Sequence, residues 1–242
     1  MQLDILAFGA HPDDIELFAG GTLAKMAALG HSTGVIDMTR GELGTRGTPA
    51  QRAKDARKAA KILGLTVREN LGLSDGDIQP TSSARLKIIR TIREYRPRIV
   101  LTHYWEDRHP DHANTSKLVA EAVHHSGLAK IRTGQLRYRP PILLYFKLPA
   151  TLTPSFIVDI TETAAQRNAA ISAYRSQLFD PASREPSTYL SQPDFLTHVE
   201  NIHSYYGTLI GKQKGEAFHI GGVLEIQDLV THFGEYSPSR KQ

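Results

Sequence analysis

Short apolar runs alternate with amphipathic helical stretches through the first half of the chain, which predicts an α/β fold with helices covering a mostly parallel sheet. The length of 242 residues is enough for one large domain with its own core. Glycine and proline fall at the ends of the periodic stretches, where they act as punctuation. Polar clusters follow two of the strand-like runs and precede helices, the order that a strand–loop–helix unit requires.

Residues 3–9 (LDILAFG) form an apolar run ending in Gly-Ala-His-Pro-Asp-Asp, which reads as a buried strand entering a polar loop. A helix is expected over about 16–29, with Gly30 placed to end it. Residues 34–39 form the next strand and feed the loop TRGELGTRG, which is too polar for a core. Thr48-Pro49 supplies an N-cap followed by proline at the first helical position, and QRAKDARKAAKIL continues until Gly64 stops it. A strand over 66–71, a helix capped near Ser82 or Ser83 and running to about Tyr95, and a strand over 98–103 complete the alternation.

Beyond it, 113–125 reads as a helix closed by Gly127, 142–146 and 156–160 as strands, and 163–177 and 194–210 as helices. After Gly221 no periodicity is clear. The Pro and Ser content of 180–193 suggests a surface loop and not a linker. One domain over 1–242 is therefore expected, with a core half to about residue 127 and a C-terminal completion over about 140–242.

A composition of 40% hydrophobic and 22% charged residues excludes disordered and fibrous classes. The net charge of +4 is mild for this size and suits an anionic small molecule as readily as nucleic acid. With no cysteine, a disulfide framework and a thiolate nucleophile are both excluded, and any metal must use His, Asp or Glu. A reducing cytoplasm fits this. No apolar stretch approaches the roughly 18 residues of a membrane span, and the start lacks a basic segment leading into a long apolar one, so neither membrane insertion nor export is expected.

Two polar clusters resemble each other: His11-Pro12-Asp13-Asp14 after the first strand, and His109-Pro110-Asp111-His112 after the strand ending at His103. In a doubly wound sheet, loops at the carboxyl ends of the strands flanking the reversal of order share one crevice. A strand order of 3-2-1-4-5 would bring the two clusters together. His11, Asp14 and His112 then offer two imidazoles and a carboxylate, suited to a divalent ion such as zinc that acidifies a water. Asp13 is placed to take a proton from that water as general base. His109 is placed to stabilise an oxyanion or protonate a leaving amine, with Asp111 as the partner that fixes its ring. Alone, each cluster reads better as a helix cap or a solvated loop histidine, and only the convergence of the two brings the metal reading level with that.

His103, at the end of a core strand, is expected as a hydrogen-bonded core histidine or a support behind the ligands. Arg40, Arg46, Arg52 and Arg108 gather on the loops of the same sheet edge, where guanidinium groups suit carboxylate recognition. Arg85, Arg90, Arg93, Arg96 and Arg98 lack interleaved aromatics and are expected on a solvated helix face, without nucleic acid.

The paired motifs FGAHPDD and WEDRHPDHANTSKLV, with TRGELGTRG, FIVDIT, AYRSQ and YYGTLIGKQKGEAF, resemble the PIG-L or LmbE-like family of metal-dependent N-acetylglucosaminide deacetylases. The resemblance is strongest to the bacterial branch that deacetylates N-acetylglucosaminyl malate in bacillithiol synthesis. It implies a Rossmann-like fold and zinc, or alternatively iron or another divalent ion, on His11, Asp14 and His112. It further implies Asp13 as base, His109 as oxyanion stabiliser or acid, Arg52 and Arg108 on an anionic substrate, and a homo-oligomer, often a hexamer. Where some relatives carry a tyrosine in an active-site segment, this chain has Phe195, and Tyr189 is the candidate substitute. Two other functions fit parts of the pattern: a non-catalytic nucleotide or sugar binding module, against which the first strand lacks G-x-G-x-x-G, and a metal-dependent esterase or phosphoesterase.

Overall fold

The computed structural model describes residues 1–233, and residues 234–242 of the expected domain lie outside the described residues. Its strands are β1 (Ile5–Gly9), β2 (Thr33–Thr39), β3 (Val67–Leu73), β4 (Ile99–His103), β5 (Ile142–Phe146), β6 (Phe156–Asp159) and β7 (Gly215–Ile220). They form one sheet in the order β3-β2-β1-β4-β5-β7-β6. The pairs among β1 to β5 are parallel, and β7 runs antiparallel to both β5 and β6. The chain is a single α/β domain with a mixed, mostly parallel sheet flanked by helices.

The helices are α1 (Asp14–Phe18), α2 (Gly20–Ala28), α3 (Pro49–Leu63), α4 (Ser82–Tyr95), α5 (Pro110–Ser126), α6 (Ala164–Ile171), α7 (Phe195–Leu209) and α8 (Leu229–Phe233). Both faces of the central strands are covered. Leu6 and Phe8 of β1 pack with Ile88 and Ile92 of α4 and Leu118 of α5, whereas Ile5 and Ala7 pack with Ile15, Ala19 and Leu23 on the other face. A strand buried on both faces has no polar alternation, which is why LDILAFG reads as one apolar run. Among the described residues no helix is long and apolar enough to cross a membrane.

Several boundaries differ from the sequence expectation. The helix over 16–29 is two helices, broken at Ala19 (φ −142°). The break gives α2 its own N-terminus, whose Gly21 and Thr22 amides donate to the Glu216 carboxylate at 2.8 and 2.7 Å. The expected 163–177 helix stops at Ile171, and α4 is capped by Thr81, whose hydroxyl accepts from the Ala84 amide at 3.2 Å. α5 starts at Pro110, earlier than Ala113, with His109 as its cap. Strand β7 was not expected, because Glu216 near its start looks like a surface residue until the α2 amides bury it. Arg93, expected in solvent, is buried and donates to the carbonyls of Ser126, Leu128 and Ile131 at 3.0, 2.8 and 2.7 Å. It thereby satisfies groups left open beyond the end of α5.

Candidate active site

Strands β1 and β4 are neighbours, yet the chain leaves β1 toward β2 and β3 and leaves β4 toward β5. Loops leaving the carboxyl ends of two such strands diverge to opposite sides and open a crevice. The register, Ile5 opposite Ile99 and Ala7 opposite Leu101, places residues 10–14 and 104–112 over the same end of the sheet.

There the donor atoms of His11, Asp14 and His112 all lie within 4.8 Å of one another. The His112 Nε2 is 3.3 Å from Asp14 Oδ1, and the His11 Nδ1 is 3.5 Å from Asp14 Oδ2. Two further sets, His11–His109–Asp111 and His103–Asp107–His112, share members with this one. Their carboxylates are already engaged: Asp111 accepts from the Gly76 and Ile78 amides at 2.8 and 3.2 Å, and Asp107 pairs with Lys147 at 2.7 Å. Asp14 faces imidazoles and the His11 amide, which leaves it the freest to take a cation.

The electrostatics fit a cation at this point. Burial opposes charge on His11, but Asp111, Asp14 and Asp75 push its pKa up to about 12. Burial likewise opposes charge on His112, and Asp14 and Asp107 raise it. Asp14 is held well below the usual carboxylate range: burial would raise it, but His112 and His103 prevail. Two imidazoles and one carboxylate that together favour positive charge match the donor set of a borderline divalent ion. Behind them, the His112 Nδ1 meets Asp107 at 3.1 Å and Lys147 at 2.7 Å, and the His103 Nε2 lies 3.2 Å from Asp14 and accepts from the Ala10 amide at 3.1 Å. His103 is fully buried, and burial together with His112 lowers it to about 4.

Asp13 is buried beside this cluster with φ 123°, a conformation few residues with a side chain adopt. Arg52 holds it there, donating through Nη2 to the Asp13 carboxylate at 2.9 Å and to the Pro12 carbonyl at 2.5 Å. Gly41 makes room: with φ 66°, it stands where a Cβ would lie 2.1 Å from the guanidinium. Burial pushes Asp13 up to about 7, against the pull of Arg52 and with the help of Asp14.

His109 is exposed, with its ring 4.8 Å from His11 and 4.6 Å from His112 between centroids. Its Nδ1 accepts from the Asp111 amide at 3.2 Å, so the neutral ring carries its proton on Nε2. The Asp111 carboxylate does not orient His109 as expected. It turns to the His11 Nε2 at 3.3 Å, and the backbone amide does the orienting instead. Partial desolvation of the ring beside the cluster, with His112 and His11, lowers the His109 pKa.

A cavity of about 670 Å³ opens over the cluster. Arg108 lines it and lies 4.4 Å over the ring of Tyr189, which is half exposed and edge-on to Phe195 at 5.3 Å. Arg52 also lines it, but its hydrogen bonds go to the protein. Arg40 and Arg46 do not line it, and Arg46 is buried against Glu185 at 3.4 Å.

Sequence reasoning did not single out Asp75, Asp107 or Lys147. Asp75 stands 3.1 Å from the His11 Nε2 and accepts from the Leu43 amide at 2.8 Å. Asp107 lies within the quoted motif WEDRHPDH and was readable there.

The profile of the family described as PIG-L: GlcNAc-PI de-N-acetylase matches residues 6–123. The conserved protein TT1542 of Thermus thermophilus is 38% identical in its crystal structure, with a TM-score of 0.84 over 93% of this chain and 98% of that one. The uncharacterized deacetylase YaiS of Escherichia coli is 33% identical over 67% of this chain and 82% of its own. The diacetylchitobiose deacetylase of Thermococcus kodakarensis is 27% identical over 88% of this chain and 80% of its own.

Proposed function

The chain belongs to the PIG-L family, and on that premise we propose that it hydrolyses the N-acetyl group of a small N-acetylglucosaminide, N-acetylglucosaminyl malate being the specific candidate, to the free amine and acetate. The observation that carries this is the convergence of His11, Asp14 and His112 within 4.8 Å, with Asp13 and His109 lining the same cavity.

His11, Asp14 and His112 would hold a divalent ion, zinc in this proposal, which when bound would supply Lewis acidity at the acyl oxygen and at the attacking water. Asp13, fixed by Arg52, accepts a proton from the attacking water. His109, with its proton on Nε2, donates to the acyl oxygen as charge develops there. The water oxygen joins the acyl carbon, the C–N bond breaks, and the proton taken by Asp13 passes to the departing nitrogen. Arg108, at the rim of the cavity, is the residue free to meet an anionic aglycone.

The test is a panel of N-acetylglucosaminides differing only in the aglycone, malate included, assayed for free amine with and without chelator alongside the metal content. About one divalent ion per chain and chelator-sensitive amine release are expected. Undiminished release from metal-free protein would overturn the metal role, and phosphate release from an added phosphate ester, with no free amine from the panel, would favour the phosphoesterase reading.

A further inference from the structure

Strand β5 lies parallel beside β4, with Phe146 opposite His103, so the chain leaves β5 at the end of the sheet where the cluster sits. The next residue is Lys147. Its backbone is left-handed, with φ 57°, a conformation that costs any residue with a side chain and that gathers at functional sites. Three contacts fix its ammonium. Asp107 accepts from it at 2.7 Å, the His112 Nδ1 stands 2.7 Å away, and the Phe18 ring lies 5.4 Å beneath it.

The His112 ring has two nitrogens with different duties. Its Nε2 faces Asp14 Oδ1 at 3.3 Å, so it is the nitrogen that the cluster offers to a cation. A neutral imidazole that gives Nε2 to a cation carries its proton on Nδ1. Asp107, 3.1 Å from Nδ1, can accept that proton, but an ammonium only donates. The two partners of Nδ1 therefore act in opposite senses. Asp107 favours the tautomer that binds a cation. Lys147 favours the other one, adds a positive charge behind the ligand, and offsets part of the Asp107 charge by pairing with it.

We propose that Lys147 is a positioning residue that acts through His112 and Asp107 to loosen the site's grip on a divalent ion, keeping that ion more electrophilic than Asp107 alone would allow. The inference rests on the metal reading given above and adds a residue that tunes it. Outer partners that raise the basicity of a histidine strengthen its bond to the ion, so a partner that lowers this basicity has the reverse effect. A cation serving only to support the fold would tighten the site by its presence and loosen it by its removal. Lys147 is expected to do the opposite.

The experiment strips the full chain of metal and titrates it with zinc against a chromophoric chelator, with no substrate present. Lys147→Met keeps an unbranched stem beside Phe18 and removes the charge. Zinc is expected to bind it about tenfold more tightly than wild type. Lys147→Gln, a second neutral variant, is expected to tighten in the same way, whereas Lys147→Arg keeps a charge that only donates and is expected to stay within about twofold of wild type. In the zinc-saturated neutral variants, kcat for amine release is expected to fall about 3–10-fold with KM little changed, since the ion is then less electrophilic.

A damaged fold loosens zinc, so tightening in a neutral variant has no structural explanation. Zinc affinity equal to or below that of wild type in both neutral variants overturns the proposal, as does equal tightening in Lys147→Arg. A raised KM with unchanged zinc affinity also overturns it and assigns Lys147 to the substrate. Each of these results leaves the metal and deacetylase readings standing, whereas wild-type protein that takes up no zinc removes the metal reading together with this one.

Discussion

Arg52 of α3 donates to the Asp13 carboxylate at 2.9 Å and to the Pro12 carbonyl at 2.5 Å, so one side chain fixes both the backbone and the side chain of the turn before Asp14. Arg52→Lys keeps the charge but replaces the planar guanidinium, whose Nη2 makes both bonds, with an ammonium that ends elsewhere on a shorter stem. It is expected to lower kcat about 10–100-fold with a smaller change in KM, because a misplaced base costs rate more than binding. Steady-state kinetics check this. A rise in KM with kcat intact would return Arg52 to the substrate.

Asp13→Asn preserves the turn, since asparagine tolerates positive φ as aspartate does, and removes the proton acceptor. Metal content is expected unchanged and kcat lower by about 10²–10⁴-fold. Metal analysis and amine release on the same preparation test it, and a rate equal to that of wild type would take Asp13 out of the chemistry.

Asp107→Asn removes the carboxylate partner of the His112 Nδ1. Loss of such an outer partner costs about 10–100-fold in metal affinity. Competition against a chromophoric chelator measures it, and excess metal is expected to recover much of the activity.

His203 gives a pH dependence of stability. It is buried on α7, its Nδ1–H donates to the Val199 carbonyl at 2.7 Å, and burial together with Arg167 lowers its pKa to about 4. The unfolded chain binds a proton near its ordinary 6.5 and the folded chain does not, so this stability is complete above pH 6.5 and is lost as pH falls toward 4. The contribution is up to roughly 3 kcal/mol. His203→Asn is expected to narrow the difference between urea midpoints at pH 7.5 and pH 5, and an equal difference in both proteins would contradict the assignment.

How much of this was legible in the sequence depended on how local each cause is. The strand 3–9, the Thr48-Pro49 cap and the Gly64 stop are set by neighbouring residues, and the structure has all three, with Thr48 accepting from the Gln51 amide at 3.1 Å and Gly64 left-handed at φ 72°. Grouping His11, Asp14 and His112 needed only residue types and the reversal of strand order. The break at Ala19 and the strand through Glu216 were illegible, because each depends on the other across almost the whole chain. Asp75 and the α7 residues that line the cavity were missed for the same reason: a loop after β3 and a helix after residue 194 reach the site only through tertiary packing.

The candidate ligands, Asp13 and His109 all fall within the matched stretch 6–123, whereas the cavity-lining Phe195, Val199, Tyr206 and Ala217 belong to α7 and β7 further on. On the proposed function, the reacting groups and this part of the cavity wall thus come from separate stretches of the chain. A lineage that rewrites the later part can change what it cuts while inheriting the means of cutting unaltered.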